Sequence, residues 1–115
     1  MKSPITTHVL DTSRGKPAVG VPVVLEMKEQ GGQWKELGRG LTDADGRLAN
    51  LLPENHKLAG GSYRISFDTA TYFSSQGIKS MFLSVVIPFE VNDVNEHYHI
   101  PLLLSPFGYS TYRGS

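Results

Sequence analysis

Apolar and polar residues alternate in short runs along this chain, and turn residues separate the runs. Alternation of period two puts successive side chains on opposite faces of an extended strand. Ile5 to Asp11, rich in β-branched residues, reads as the first strand. His8 shares a face with Thr6 and Leu10, while Ile5, Thr7 and Val9 take the other. Ser13-Arg14-Gly15-Lys16-Pro17 reads as a turn or loop. Gly20 to Met27 alternates again, with Val21, Val23, Leu25 and Met27 towards a core. Gln30-Gly31-Gly32 predicts a hairpin, with Trp34 to Leu37 returning.

Thr42-Asp43-Ala44-Asp45-Gly46-Arg47 predicts a turn. Gly46 takes positive φ without a steric penalty, and Asp43 and Asp45 are able to bond their own backbone. A short strand follows from Arg47, and Pro53 to Gly61 reads as loop. Ser62 to Asp68 alternates strictly, with Tyr63, Ile65 and Phe67 on one side. The period then changes. Thr69 to Gln76 predicts one short helix, capped by Asp68 or Thr69 and stopped by Gly77. Leu83 to Val91 is the next strand, with Val85, Ile87, Phe89 and Val91 inward. Pro88 falls on its outward face, as at a sheet edge or bulge. Asn92 to Glu96 reads as a hairpin loop. A segment from His97 to Leu104, a Ser-Pro-Phe-Gly turn and a last extended segment, Tyr109 to Arg113, close the chain. About eight short strands and one small helix predict an all-β, two-sheet sandwich, with residues 1–115 as a single domain.

Composition narrows the function classes. The chain has no cysteine, which removes disulfides, thiolate metal sites and a cysteine nucleophile. Eleven basic residues balance eleven acidic ones, leaving no net field to attract nucleic acid or anionic lipid. No apolar stretch approaches a membrane span. Met1-Lys2-Ser3-Pro4 lacks the apolar segment of a secretion signal, and Arg113-Gly114-Ser115 is not the peroxisomal tripeptide. The cytoplasm is therefore the expected location, with the peroxisome open for a eukaryotic source. The C-terminal stretch is rich in aromatic and imidazole rings, unlike the solvated, simple sequence of most termini. It is expected to build a site or an interface.

Single residues have ordinary readings beside functional ones. His8 is a strand histidine able to satisfy a neighbouring backbone group, and Arg47 a solvated residue after a turn. His97 and His99 lie two apart, on one side of an extended chain. Together with His8 they would suit zinc in principle, but no carboxylate or cysteine stands at an obvious ligand spacing. Asp43-Ala44-Asp45-Gly46 has its glycine fourth, not sixth as an EF-hand loop requires, so the turn reading stands. No Gly-rich phosphate loop and no G-x-S-x-G elbow is present.

Taken together the motifs are specific. Thr6-Thr7-His8-Val9-Leu10-Asp11, Asp45-Gly46-Arg47, Tyr98-His99-Ile100-Pro101-Leu102-Leu103-Leu104-Ser105 and the final Tyr112-Arg113-Gly114-Ser115 closely resemble the transthyretin-like 5-hydroxyisourate hydrolases of urate degradation. The resemblance covers essentially the whole chain. In that family the final tetrapeptide and the two histidines separate the hydrolases from transthyretin, the thyroid-hormone carrier that shares the sandwich. One departure is local: Phe82 is followed by Leu83-Ser84, where members often carry an aromatic-proline pair.

The resemblance implies a homotetramer, a dimer of dimers, with sites in the channel between dimers. It implies a cyclic amide hydrolase that opens 5-hydroxyisourate to 2-oxo-4-hydroxy-4-carboxy-5-ureidoimidazoline. No metal and no other cofactor is expected, nor a nucleic-acid or membrane partner. His8, Arg47 and His99 are the implied catalytic residues, His8 activating water and His99 polarising or protonating substrate, with those two roles exchangeable. Tyr112, Arg113, Gly114 and Ser115 are implied to bind substrate, and His97 to be structural or supporting. The competing readings are a transthyretin-like carrier without catalysis and a monomeric immunoglobulin-like interaction module.

Overall fold

The computed structural model describes residues 3–115; Met1 and Lys2, part of the segment read for a leader, lie outside the described residues. The elements run β1 (Ile5–Asp11), β2 (Lys16–Pro17), β3 (Pro22–Lys28), β4 (Trp34–Leu41), β5 (Arg47–Leu48), β6 (Gly61–Phe67), α1 (Thr69–Ser74), β7 (Val85–Val91), β8 (Tyr98–Ser105) and β9 (Gly108–Thr111). They form the expected two-sheet sandwich. One sheet has the order β2-β1-β8-β9, with the short β5 beside β2 on the same flank of β1. The other has the order β4-β3-β6-β7.

The alternation read from the sequence sets the core. Ile5, Val9, Leu102 and Leu104 from one sheet meet Val23, Leu25, Tyr63, Ile65 and Phe67 from the other, all essentially without exposure. Removing such side chains from water is the main stabilising term of a domain this size. Helix α1 covers one end with Tyr72 and Phe73, and Asp68 caps it by accepting from the Thr71 amide.

Four local expectations change. Asn92 to Glu96 is not a hairpin. β7 pairs with β6 while β8 pairs with β1, so this segment crosses from one sheet to the other. The Tyr98 hydroxyl pins the crossing, donating to the Asp93 carbonyl at 2.8 Å and accepting from its amide at 3.2 Å. β7 begins at Val85, not Leu83, because the preceding carbonyls serve α1: the Ala70 amide donates to Leu83 and the Thr69 hydroxyl to Phe82. Pro88 falls on the edge strand its missing N–H calls for. β4 runs on to Leu41 through Gly38 and Gly40, where the chain at 48–52 passes close. A Cβ on Gly38 would stand 1.8 Å from the Leu51 carbonyl oxygen. Lys16–Pro17, read as loop, pairs with Leu10 and Asp11.

Candidate active site

β1 is the centre of the five-stranded sheet. It lies parallel to β8, with Thr6 opposite His99 and His8 opposite Pro101. On its other flank His8 stands opposite Arg47 of β5. Directly paired residues share a face, so Thr6, His8, Arg47, His99 and Pro101 all project from the side away from the core. The spacing of neighbouring strands and one two-residue repeat separates the His8 and His99 backbones by roughly 8 Å. The sequence-expected trio, scattered over some ninety residues, is thus gathered on one face of one protomer.

The turn before β5 positions two of the three. Asp43 Oδ1 accepts from the amides of Asp45 and Arg47, each at 2.9 Å. These bonds hold the Asp43 carboxyl below its ordinary value, the Arg47 amide first and the Asp45 amide second. Gly46 adopts φ +75°, and a Cβ there would stand 2.4 Å from the Val9 carbonyl oxygen, so the turn closes tightly on β1. The Asp45 carbonyl is thereby aimed at His8, whose Nε2 lies 3.0 Å from it. A carbonyl only accepts, so Nε2 carries the proton and the lone pair of neutral His8 sits on Nδ1. One six-residue turn therefore fixes the His8 tautomer and sets Arg47 directly opposite His8 in the sheet.

His99 is fixed from the other side. Its Nδ1 lies 2.8 Å from the hydroxyl of Thr6, which also lies 2.9 Å from His97 Nε2. The Gly114 amide donates to the His99 carbonyl at 2.8 Å. A Cβ at Gly114 would stand 2.5 Å from His99 Cδ2, so only glycine lets the terminal segment lie against this ring.

The terminal tetrapeptide divides. Extending the β8–β9 register puts Tyr112 opposite Pro101 on the histidine face, where it is largely exposed, and Gly114 opposite His99. Arg113 falls between them and turns to the other side. Its guanidinium carbon lies 4.5 Å over the Tyr98 ring, and Nη2 donates to the His97 carbonyl at 3.2 Å and to Glu96 at 3.4 Å. It clamps the terminus to β8 instead of facing His8 and Arg47. Ser115 is exposed at the end of the strip.

One cavity of the single chain, ≈ 390 Å³ beside Arg14, Lys16 and Tyr72, lies off this face; another, ≈ 210 Å³ between β7 and Arg113, is bordered by His99 and Tyr112 as well. Among the described residues, no three His, Cys, Asp or Glu side chains are grouped to hold a metal ion. No described helix is long and apolar enough to cross a membrane. Sequence reading missed Thr6, the Asp45 carbonyl and the close approach at Gly114. Only the shared face of Thr6 and His8 gave a signal.

The HIUase/Transthyretin family model matches residues 5–114. The 5-hydroxyisourate hydrolase of Salmonella dublin is 50% identical over 111 residues, covering 96% of this chain and 80% of that protein. The structure of Klebsiella pneumoniae 5-hydroxyisourate hydrolase matches with a TM-score of 0.85 at 36% identity, over 100% of both chains. Sea bream transthyretin in complex with thyroxine matches with a TM-score of 0.90 at 34% identity, over 96% of this chain and 94% of that one. The chain belongs to the HIUase/transthyretin family.

Proposed function

We propose that this member of the family is an enzyme that hydrolyses 5-hydroxyisourate in urate degradation, and that His8, Arg47 and His99 carry the reaction. The observation that carries the assignment is His8, Arg47 and His99 on one open sheet face, the imidazoles held by a carbonyl and a hydroxyl and Arg47 fixed through its backbone amide. Preorganised groups of this kind act without reorganising during the reaction.

The chemistry needs a proton removed from water, an oxyanion stabilised and a departing nitrogen protonated. His8 presents its Nδ1 lone pair and takes the water proton. The hydroxide oxygen bonds to the ring carbonyl carbon. Arg47 offers a planar fork to the oxygen that gains charge. The carbon–nitrogen bond then breaks, and His99 donates the proton that the departing nitrogen requires. The new carboxyl group, which gives up its proton to solvent, remains on the imidazoline ring, and the freed nitrogen becomes part of the ureido group. Tyr112, Gly114 and Ser115 border the substrate, while Arg113 acts by holding that strip against β8.

The active assembly is a homotetramer, a dimer of dimers. A flat sheet face cannot exclude water from a reacting amide, and the same face of a second copy would roof it. Edge strands β7 and β9 present unpaired backbone suited to joining protomers. Light scattering should return four times the 12.6 kDa protomer mass.

The deciding experiment follows the absorbance of freshly generated 5-hydroxyisourate with and without the protein. Accelerated decay that survives exhaustive chelation is the expected result. Saturable binding without faster decay would overturn the enzyme reading in favour of a carrier.

A further inference from the structure

We propose that Thr6 and His97 form a proton relay behind His99, so that Thr6 is a positioning residue and His97 the proton reservoir of the reaction assigned above. This rests on that assignment for its catalytic part but not for its geometric part.

Thr6 is buried, at 3% exposure, and its hydroxyl touches an imidazole nitrogen on each side: His99 Nδ1 at 2.8 Å and His97 Nε2 at 2.9 Å. The two rings lie nearly parallel, 6.5 Å apart with 19° between their planes. A hydroxyl has one proton to donate. It can donate to one nitrogen and accept from the other, or accept from both. It cannot bond two bare nitrogens. The protonation states of the two histidines are therefore tied through one oxygen atom. When Thr6 donates to His99 Nδ1, neutral His99 must carry its proton on Nε2, the form an acid needs. When His99 Nδ1–H donates to Thr6, the lone pair sits on Nε2 instead. β1 supplies the hydroxyl because the parallel register puts Thr6 opposite His99.

The transfer balances. It begins with His97 as imidazolium, Thr6 as hydroxyl and His99 protonated on Nε2. His99 gives its Nε2 proton to the departing nitrogen. The Thr6 O–H bond breaks as its proton passes to His99 Nδ1. The His97 Nε2–H bond breaks as that proton passes to the Thr6 oxygen. Both imidazoles finish neutral, Thr6 finishes as a hydroxyl, and one proton has moved from His97 to substrate without any electron transfer. The starting state returns when a solvent proton reaches His99 Nε2, the His99 Nδ1 proton passes back to the Thr6 oxygen and the Thr6 proton passes back to His97 Nε2; His97 is exposed, whereas Thr6 is shielded. Among the described residues, charged and titratable groups near the relay include Glu96 and Arg113 beside His97, and His8 and Arg47 on the β1 and β5 side.

The test compares Thr6→Val, which keeps the shape and removes the hydroxyl, with Thr6→Ser, which keeps the hydroxyl. Thr6→Val should lower kcat about tenfold or more, a fraction of what a general acid contributes, with KM little changed. Its alkaline limb of kcat against pH should move, and His97→Gln should move the same limb. Thr6→Ser should restore most of the lost rate. ¹⁵N spectra of the imidazoles give a reading that needs no turnover: the wild-type titrations of His97 and His99 should be linked, and Thr6→Val should unlink them and change the His99 tautomer population. Identical His99 spectra and titration in wild type and Thr6→Val would overturn the relay, as would Thr6→Ser being as slow as Thr6→Val. Absence of turnover in the wild type would instead defeat the assigned reaction, and the spectra would still decide the relay.

Discussion

Both sheets carry charged residues on their outward faces, but they use them differently. On the four-stranded sheet, Arg64 already has its partners: Nε lies 2.7 Å from Glu26 Oε1, Nη2 lies 3.2 Å from Oε2, and the guanidinium stacks 4.3 Å over Trp34. The carboxylate and the ring answer its charge locally. On the five-stranded sheet, Arg47 is positioned through its backbone, because its amide closes the Asp43 turn, while the side chain is exposed beside His8. The histidines there are gripped at one nitrogen each by a carbonyl or a hydroxyl. A cation whose partner is already present stiffens a surface. A cation whose backbone alone is fixed is available to something that arrives.

The contrast predicts a ranking of substitutions. The largest effects belong to the histidine face: His8→Ala, His99→Ala and Arg47→Ala should each cut turnover of 5-hydroxyisourate by about 10²-fold or more, with the cooperative melt retained. A His99→Ala protein as fast as wild type would break the comparison. Next, Gly114→Ala should cost about tenfold or more in kcat, because a methyl group 2.5 Å from His99 Cδ2 must displace that ring. Stability should barely change, since Gly114 joins β8 through a single isolated bridge outside the core; a lowered Tm with normal kcat would contradict this. On the four-stranded sheet, Arg64→Leu should leave kcat within about twofold of wild type while lowering Tm. Equal damage from Arg64→Leu and Arg47→Leu would erase the distinction.

A buried pair near the end of β1 sharpens it further. Asp11 is fully buried and accepts from the Tyr72 hydroxyl at 2.7 Å and the Ser13 hydroxyl at 2.6 Å. Tyr72→Phe should cost about 1–3 kcal/mol by urea unfolding, the penalty for a buried acceptor that loses a donor, with little effect on kcat. Burial, and then the Asp11 bond, raises the Tyr72 phenol above its ordinary 10.0. A raised acid binds its proton more tightly folded than unfolded. Its stabilisation is therefore whole below pH 10 and is lost as pH rises through the folded value. Alkaline unfolding measured for wild type and Tyr72→Phe should show a shallower decline in the variant.

Local pattern made much of this legible. Strict alternation from Ser62 to Asp68 announced a strand and its buried face, and Tyr63, Ile65 and Phe67 are fully buried in it. The Asp-x-Asp-Gly sequence announced the turn at 43–46, and β-branched residues announced β1. The site was legible only as a set of residue types. Nothing in the pattern around His8 said that its Nε2 would meet the Asp45 carbonyl, and nothing around Tyr112 said that Arg113 would turn to Tyr98.

Segment type, buried face and the chemical inventory were determined by the sequence itself, because side-chain periodicity and turn stereochemistry act over a few residues. The tertiary structure decided that β8 runs parallel to β1 and leaves β7 in the other sheet. That pairing joins residues more than ninety positions apart and depends on which faces can share one core. Thr6 between two imidazoles follows from that register, and the proposed trio on one face from it together with the β1–β5 pairing. A slip of one residue in β8 would have turned His99 into the core and away from Thr6.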